Sequence, residues 1–149
     1  MAAPIDKIGK RYPADLYAVG REKVREFAAA VGETNAVHFD VEAARAAGYA
    51  DVVAPPMFVV VYAGKTFFPA LFDPELEINF AMLVHGSQAF RWDGPVVVAG
   101  DEITTEMSVK DISERTGLEF FVFESTSTNQ RGEQVAVGTW TAIIRGAGA

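Results

Sequence analysis

Two side chains able to exchange protons stand close together in the stretch VGETNAVHFD, residues 31 to 40. Glu33 offers a carboxylate and His38 an imidazole, and such a pair can accept a proton at one atom while donating one at another. That chemistry suits moving protons to and from a bound substrate. On spacing alone, the same residues also describe a solvated pair at a helix end. Asn35, between them, is a residue type that hydrogen-bonds nearby backbone and holds a loop in shape. The one other histidine, His85, lies in the segment HGSQ and reads equally as a structural hydrogen-bonding residue or as a ligand contact.

Composition narrows the chemistry. With no cysteine, disulfides, thiolate nucleophiles and thiolate metal sites are excluded. Two histidines without a dense carboxylate cluster are a poor metal donor set, so no metal is expected, and acid–base chemistry by a carboxylate and an imidazole requires no other cofactor. The net charge of −7 and the lack of a basic run argue against nucleic acid and against anionic membrane surfaces. The opening residues MAAPIDKIGKRYP lack the apolar stretch of a signal peptide. The most apolar run, Pro55 to Phe72, is broken by Lys65 and bounded by prolines, too short to span a bilayer. A cytoplasmic location is expected.

The elements that must hold the pair follow from periodicity. Val24, Phe27, Ala28 and Val31 recur at helical spacing over residues 21 to 31, and Gly32 is placed as a C-terminal stop. Residues 41 to 47 read as a second short helix ended by Gly48. Pro55-Pro56 can open a third helix, which would be apolar on nearly every side and therefore buried all round; its β-branched triplet fits a strand as well. From about residue 84 the period becomes two. Ile103, Thr105, Met107 and Val109 fall on one face, and residues 118 to 128 and 134 to 145 read as further long strands. Turn signals at 93–95, 99–101, 116–117 and 129–132 separate them. The pattern predicts an α+β fold, helices first and then an antiparallel meander, with one helix buried against a curved sheet. One domain over residues 1–149 is expected, with 146–149 as a loose tail.

Three motifs carry a family resemblance across roughly residues 10 to 145: Gly32-Glu33-Thr34-Asn35-Ala36-Val37-His38 followed by Phe39-Asp40, Ala54-Pro55-Pro56 with the later His85-Gly86-Ser87-Gln88, and Val98-Ala99-Gly100-Asp101-Glu102 before a long strand. Together they resemble the MaoC-like, or hydratase 2, branch of the hot-dog fold, and the actinobacterial type in particular. The resemblance implies a curved antiparallel sheet wrapped around a central apolar helix. It further implies a (3R)-3-hydroxyacyl-thioester dehydratase or enoyl-thioester hydratase of fatty-acyl metabolism, with Glu33 and His38 as the acid–base pair. Asn35, Pro56, Met57 and His85 become candidate substrate-binding residues. The implied partners are an acyl-CoA or acyl-carrier-protein thioester, and a second chain, as a homodimer or as a heterodimer with another MaoC-like subunit.

Two positions depart from the family pattern. The family's catalytic Asp is Glu33, one methylene longer, and the family's helix-start glycine falls on Pro56, which has no N–H to offer a thioester oxygen; Met57 is the next donor. These departures keep open a non-catalytic acyl-binding subunit of a heterodimeric dehydratase, and a hot-dog thioesterase remains a further reading. Of the aromatic residues, Phe67, Phe68, Phe72 and Phe80 suit either an acyl tunnel or ordinary core. Trp92 and Trp140 read as packing or interface residues. Lys65, Arg91 and Arg131 are the basic residues available to an acidic carrier.

Overall fold

The computed structural model describes residues 3–146; residues 147–149 of the expected tail lie outside the described residues. The chain runs β1 (Arg11–Ala18), α1 (Arg21–Ala30), α2 (Val41–Ala46), α3 (Val59–Leu71), β2 (Leu83–Arg91), β3 (Glu102–Arg115), β4 (Leu118–Thr128) and β5 (Gln134–Arg145). All five strands form one antiparallel sheet in the order β1-β3-β4-β5-β2. Register shifts that bend the strands fall at Tyr12/Asp15, His85/Ser87, Val109/Asp111 and Ser127/Thr128.

The three long strands follow the alternation expected of them. Ile103, Thr105, Met107 and Val109 are buried, as are Phe121, Phe123, Ser125 and Ser127 on β4, because every second side chain faces α3. Phe67 of α3 stacks on Trp140 of β5 with ring centroids 4.7 Å apart and meets Phe123 edge-on at 5.6 Å. Several buried polar atoms on this face pair with one another: Trp140 donates its indole N–H to the Ser125 hydroxyl at 2.9 Å, and the Thr105 and Ser127 hydroxyls pair at 2.8 Å. Phe123 is 0% exposed, so Phe123→Ala is expected to cost about 3–5 kcal/mol through lost transfer energy and a residual cavity. Urea unfolding midpoints of the two proteins measure it.

Three expectations are corrected. The helices do not come first: β1 precedes them and pairs with β3, while β2 crosses to the far edge beside β5 instead of joining a simple meander. Helix α3 is helical throughout its β-branched triplet but is not buried all round. Val60 and Val61 are half-buried, Lys65 is exposed, and Phe68 is 58% exposed, because only the face toward the sheet is covered. Val31 caps α1 outside its last turn and is 51% exposed, so the apolar stripe of that helix ends at Ala28. Phe72 and Phe80 are likewise exposed and stack on one another at 4.5 Å, away from the core.

Candidate active site

Glu33 owes its position to the way α1 ends. Gly32 adopts φ +78°, a left-handed conformation that costs glycine nothing and L side chains about 1 kcal/mol or more. The turn it makes lets the Gly32 N–H bond the Ala29 carbonyl at 3.2 Å and the Glu33 N–H bond the Ala28 carbonyl at 2.9 Å. These are the paired bonds of a Schellman ending, and they launch Glu33 from a fixed point. Asn35 then caps a single turn of 3-10 helix over Ala36–His38, its side-chain oxygen accepting the Val37 N–H at 3.2 Å. Asp40 caps α2 the same way, accepting from the Ala43 N–H at 2.8 Å. Between those caps, Arg25 of α1 donates to the Phe39 carbonyl at 2.8 Å and ties the loop to the helix behind it.

His38 is buried and held on two sides by one residue. The Val53 N–H donates to the Val37 carbonyl at 2.9 Å, and His38 Nδ1 meets the Val53 carbonyl at 2.6 Å. A carbonyl only accepts, so Nδ1 carries a proton, and Nε2 is the ring atom turned toward Glu33. That Nε2 lies 3.6 Å from Oε2 of Glu33. The gap exceeds a direct hydrogen bond and leaves each group able to bond a third oxygen. The segment holding Val53 is itself paired, Ala54 N–H to the Val97 carbonyl at 2.9 Å and Ala99 N–H to the Val52 carbonyl at 3.0 Å.

One residue upstream, Asp51 anchors this segment to the start of α1. Arg21 grips its carboxylate with Nε and Nη2 at 2.9 and 2.7 Å, and the Val52 N–H donates to it at 2.8 Å. The Arg21 guanidinium holds the Asp51 carboxyl below the usual carboxylate range. A depressed folded-state pKa contributes stability above the unfolded value, near 3.9, and loses it as pH falls through the folded value. Asp51→Asn is therefore expected to lower the thermal midpoint at neutral pH, with the difference from wild type closing below about pH 4. Melting curves collected from pH 7 downward provide the check.

His38 opens onto a cleft of about 550 Å³. Its walls are largely apolar: Pro55, Phe58 and Val59 on one side, Pro95 and Val97 on the other. Gly94 lets the outer wall lie directly on β5, since a Cβ there would stand 1.7 Å from the Gln134 carbonyl oxygen. Asn35, Pro56 and His38 all line the cleft, whereas Glu33 and Met57 are not among its lining residues; Glu33 stands 3.6 Å from His38 Nε2. Met57 lies between Pro56 and Phe58, at the turn that leads into α3, and its N–H finds no acceptor among the described residues. Two lining residues were not expected in the site: Trp92, read as a packing or interface residue, and Tyr62, read as part of the apolar helix. Trp92 donates its indole N–H to the Pro56 carbonyl at 2.9 Å and so braces the helix start, and Tyr62 lines the cleft one turn into α3.

His85 is not brought to this cleft. It sits exposed on β2 and lines a second cavity of about 360 Å³ on the other face of α3, with Val60, Phe68, Leu83 and Gln88. The three basic residues considered for an acidic carrier are each paired with a carboxylate: Lys65 with Asp15 at 3.1 Å, Arg91 with Asp93 at 2.8 Å and Arg131 with Glu133 at 2.6 Å. Among the described residues no helix is long and apolar enough to cross a membrane.

Comparison with known proteins agrees with this architecture. Residues 6–137 match the family described as FAS1-like, dehydratase domain region. A protein of Clavibacter michiganensis subsp. michiganensis named UPF0336 protein is 47% identical over 139 residues, 93% of each chain. Among solved structures, the C-terminally truncated HadBC (3R-hydroxyacyl-ACP dehydratase) complex from Mycobacterium tuberculosis superposes with a TM-score of 0.80 at 33% identity, over 93% of this chain and 97% of that one. A protein described as a MaoC-like dehydratase gives a TM-score of 0.80 at 28% identity, over 97% of this chain and 44% of that one. The sheet and central helix described above are thus those of the hot-dog fold, as the motifs implied.

Proposed function

This chain belongs to the MaoC-like family of hot-dog dehydratases, and on that premise we propose that its cleft dehydrates (3R)-3-hydroxyacyl thioesters and hydrates the corresponding enoyl thioesters. The observation that carries the reading is the pairing of Glu33 with Nε2 of His38, 3.6 Å apart, beside an apolar cleft sized for a small acyl group. In dehydration the C2–H bond breaks, its electron pair forms the C2=C3 double bond, and the C3–O bond breaks. The pair takes up the C2 proton and gives one proton to the departing oxygen, so its own proton count is unchanged as water leaves. Hydration is the reverse. Neither direction calls for a metal or redox cofactor.

The enolate formed as C2 loses its proton needs a donor aimed at its oxygen. The Met57 N–H, unengaged at the positive end of α3, supplies it in this reading. Pro56 supplies none, but its carbonyl accepts from Trp92 and keeps the turn in place. The Val53 carbonyl holds the ring of His38 with Nε2 turned toward Glu33. The thioester is the entry group for either CoA or an acyl carrier protein, and fatty-acyl metabolism is where such substrates arise.

A second reading is favoured by one observation: at the position where family hydratases carry glycine, Pro56 has no N–H. Under it, the chain shapes the acyl site of a heterodimer whose other MaoC-like subunit performs the chemistry; the similar HadBC structure is described as a dehydratase complex. Product analysis separates these readings. The purified protein, incubated with (3R)- and (3S)-3-hydroxyacyl-CoA and a thiol reagent, is expected to consume only the (3R) compound, form the enoyl thioester and release no free thiol. Thiol release would replace the reading with a thioesterase. No product from the chain alone, with product on adding a second MaoC-like subunit, would replace it with the supporting role.

A further inference from the structure

We infer that Tyr62 is a specificity-determining residue, its hydroxyl donating a hydrogen bond to the 3-hydroxyl oxygen of a bound 3-hydroxyacyl thioester. The inference rests on the reading that the cleft takes acyl thioesters.

Tyr62 lines the cleft and is 3% exposed. Its ring packs against Phe58, centroids 6.3 Å apart, yet its hydroxyl finds no hydrogen-bond partner among the described residues. The hydroxyl is not among the fully buried unpaired atoms, so it meets the open space of the cleft, where a tyrosine's polar tip finds its partner in solvent or a ligand. Phenylalanine would pack equally well and leave no donor unmet, as Phe58 does one turn earlier on the same face. Several other polar groups of the cleft are already engaged: His38 Nδ1 with the Val53 carbonyl, Trp92 Nε1 with the Pro56 carbonyl, and Asn35 Oδ1 with the Val37 N–H; Tyr49, the other tyrosine lining the cleft, is 37% exposed and reaches solvent. Burial also raises the phenol's pKa, so the hydroxyl stays protonated and acts as a donor at working pH.

A 3-hydroxyacyl thioester brings two oxygens into such a cleft. The carbonyl oxygen is met by the Met57 N–H in the mechanism above. The 3-hydroxyl directs its hydrogen to the His38–Glu33 pair and retains lone pairs, which a phenol can donate to without competing for that hydrogen. An acyl thioester without this oxygen leaves Tyr62 unmet, so the hydroxylated form is preferred by the value of one hydrogen bond.

The test compares wild type with Tyr62→Phe, using a short (3R)-3-hydroxyacyl-CoA as substrate and the saturated acyl-CoA of the same length as inhibitor. The variant is expected to raise KM for the hydroxyacyl-CoA about tenfold, with the inhibition constant of the saturated compound nearly unchanged. Its thermal midpoint is expected not to fall, because the deleted hydroxyl bonds nothing in the protein. Constants that move together, or that both stay put in an active enzyme, overturn the inference; so does a lowered thermal midpoint, which would reveal a structural partner. Wild type that neither turns over the substrate nor is affected by the saturated compound overturns the functional reading itself, and the inference with it. That outcome is read from the wild-type arm before the variant is compared.

Discussion

Replacing His38 with alanine is expected to lower kcat/KM for enoyl-thioester hydration by about 10²–10⁴-fold, the range spanned by a single general acid–base group. The substitution removes Nε2, the atom that faces Glu33 at 3.6 Å, and also the Nδ1 contact to the Val53 carbonyl. Initial rates on a short enoyl-CoA measure the first loss. Far-UV circular dichroism and a melting curve show whether the second has disturbed the fold, since His38 is buried and a freed carbonyl lowers stability. A folded His38→Ala protein with wild-type rates would remove the ring from the mechanism.

Glu33→Gln carries the second large effect. Glutamine keeps the length and shape of the side chain but cannot take up a proton, so a loss of about 10²–10⁴-fold in kcat is expected. The informative companion is Glu33→Asp, which restores the residue type usual in the family while withdrawing the carboxylate by one methylene. In this chain the carboxylate starts from the ending of α1, pinned by the Glu33 N–H to Ala28 carbonyl bond, and its reach to His38 is set for glutamate. Glu33→Asp is therefore expected to lose activity by up to about a hundredfold, as a misplacement near 1 Å does. Rates for both variants on one substrate decide the point. Full activity in Glu33→Gln would reduce the carboxylate to a bystander at a helix end.

The parts of the fold legible in the sequence are those whose period reports one buried face. Strands β3, β4 and β5 alternate because each lays every second side chain on α3; the expected bounds of β4 and β5 coincide with the observed ones, whereas β3 continues to Arg115, past the register shift at Val109/Asp111 where the alternation read from the sequence ends. Strand β1 was not legible for a physical reason: it is an edge strand carrying Pro13, with a register shift between Tyr12 and Asp15, so neither its residue types nor its alternation is strand-like. The open face of α3 was hidden because an apolar run looks the same whether or not something covers it. In the site, Glu33, Asn35 and His38 were readable because they are contiguous, whereas the Trp92 contact to Pro56 joins residues 36 apart. Tyr62 reads in the sequence as one more member of an apolar helix. His85 shows the converse: its motif resembles a site segment, but the strand order places it on another cavity.

The central claim is that VGETNAVHFD forms a working hydro-lyase site, and the most direct test is the fall in enoyl-thioester absorbance when the purified protein is mixed with a short trans-2-enoyl-CoA. The account predicts hydration by this chain alone, giving the (3R)-3-hydroxyacyl thioester with its thioester bond intact. An enoyl-CoA left unchanged by a folded protein, both alone and beside a second MaoC-like subunit, would contradict it.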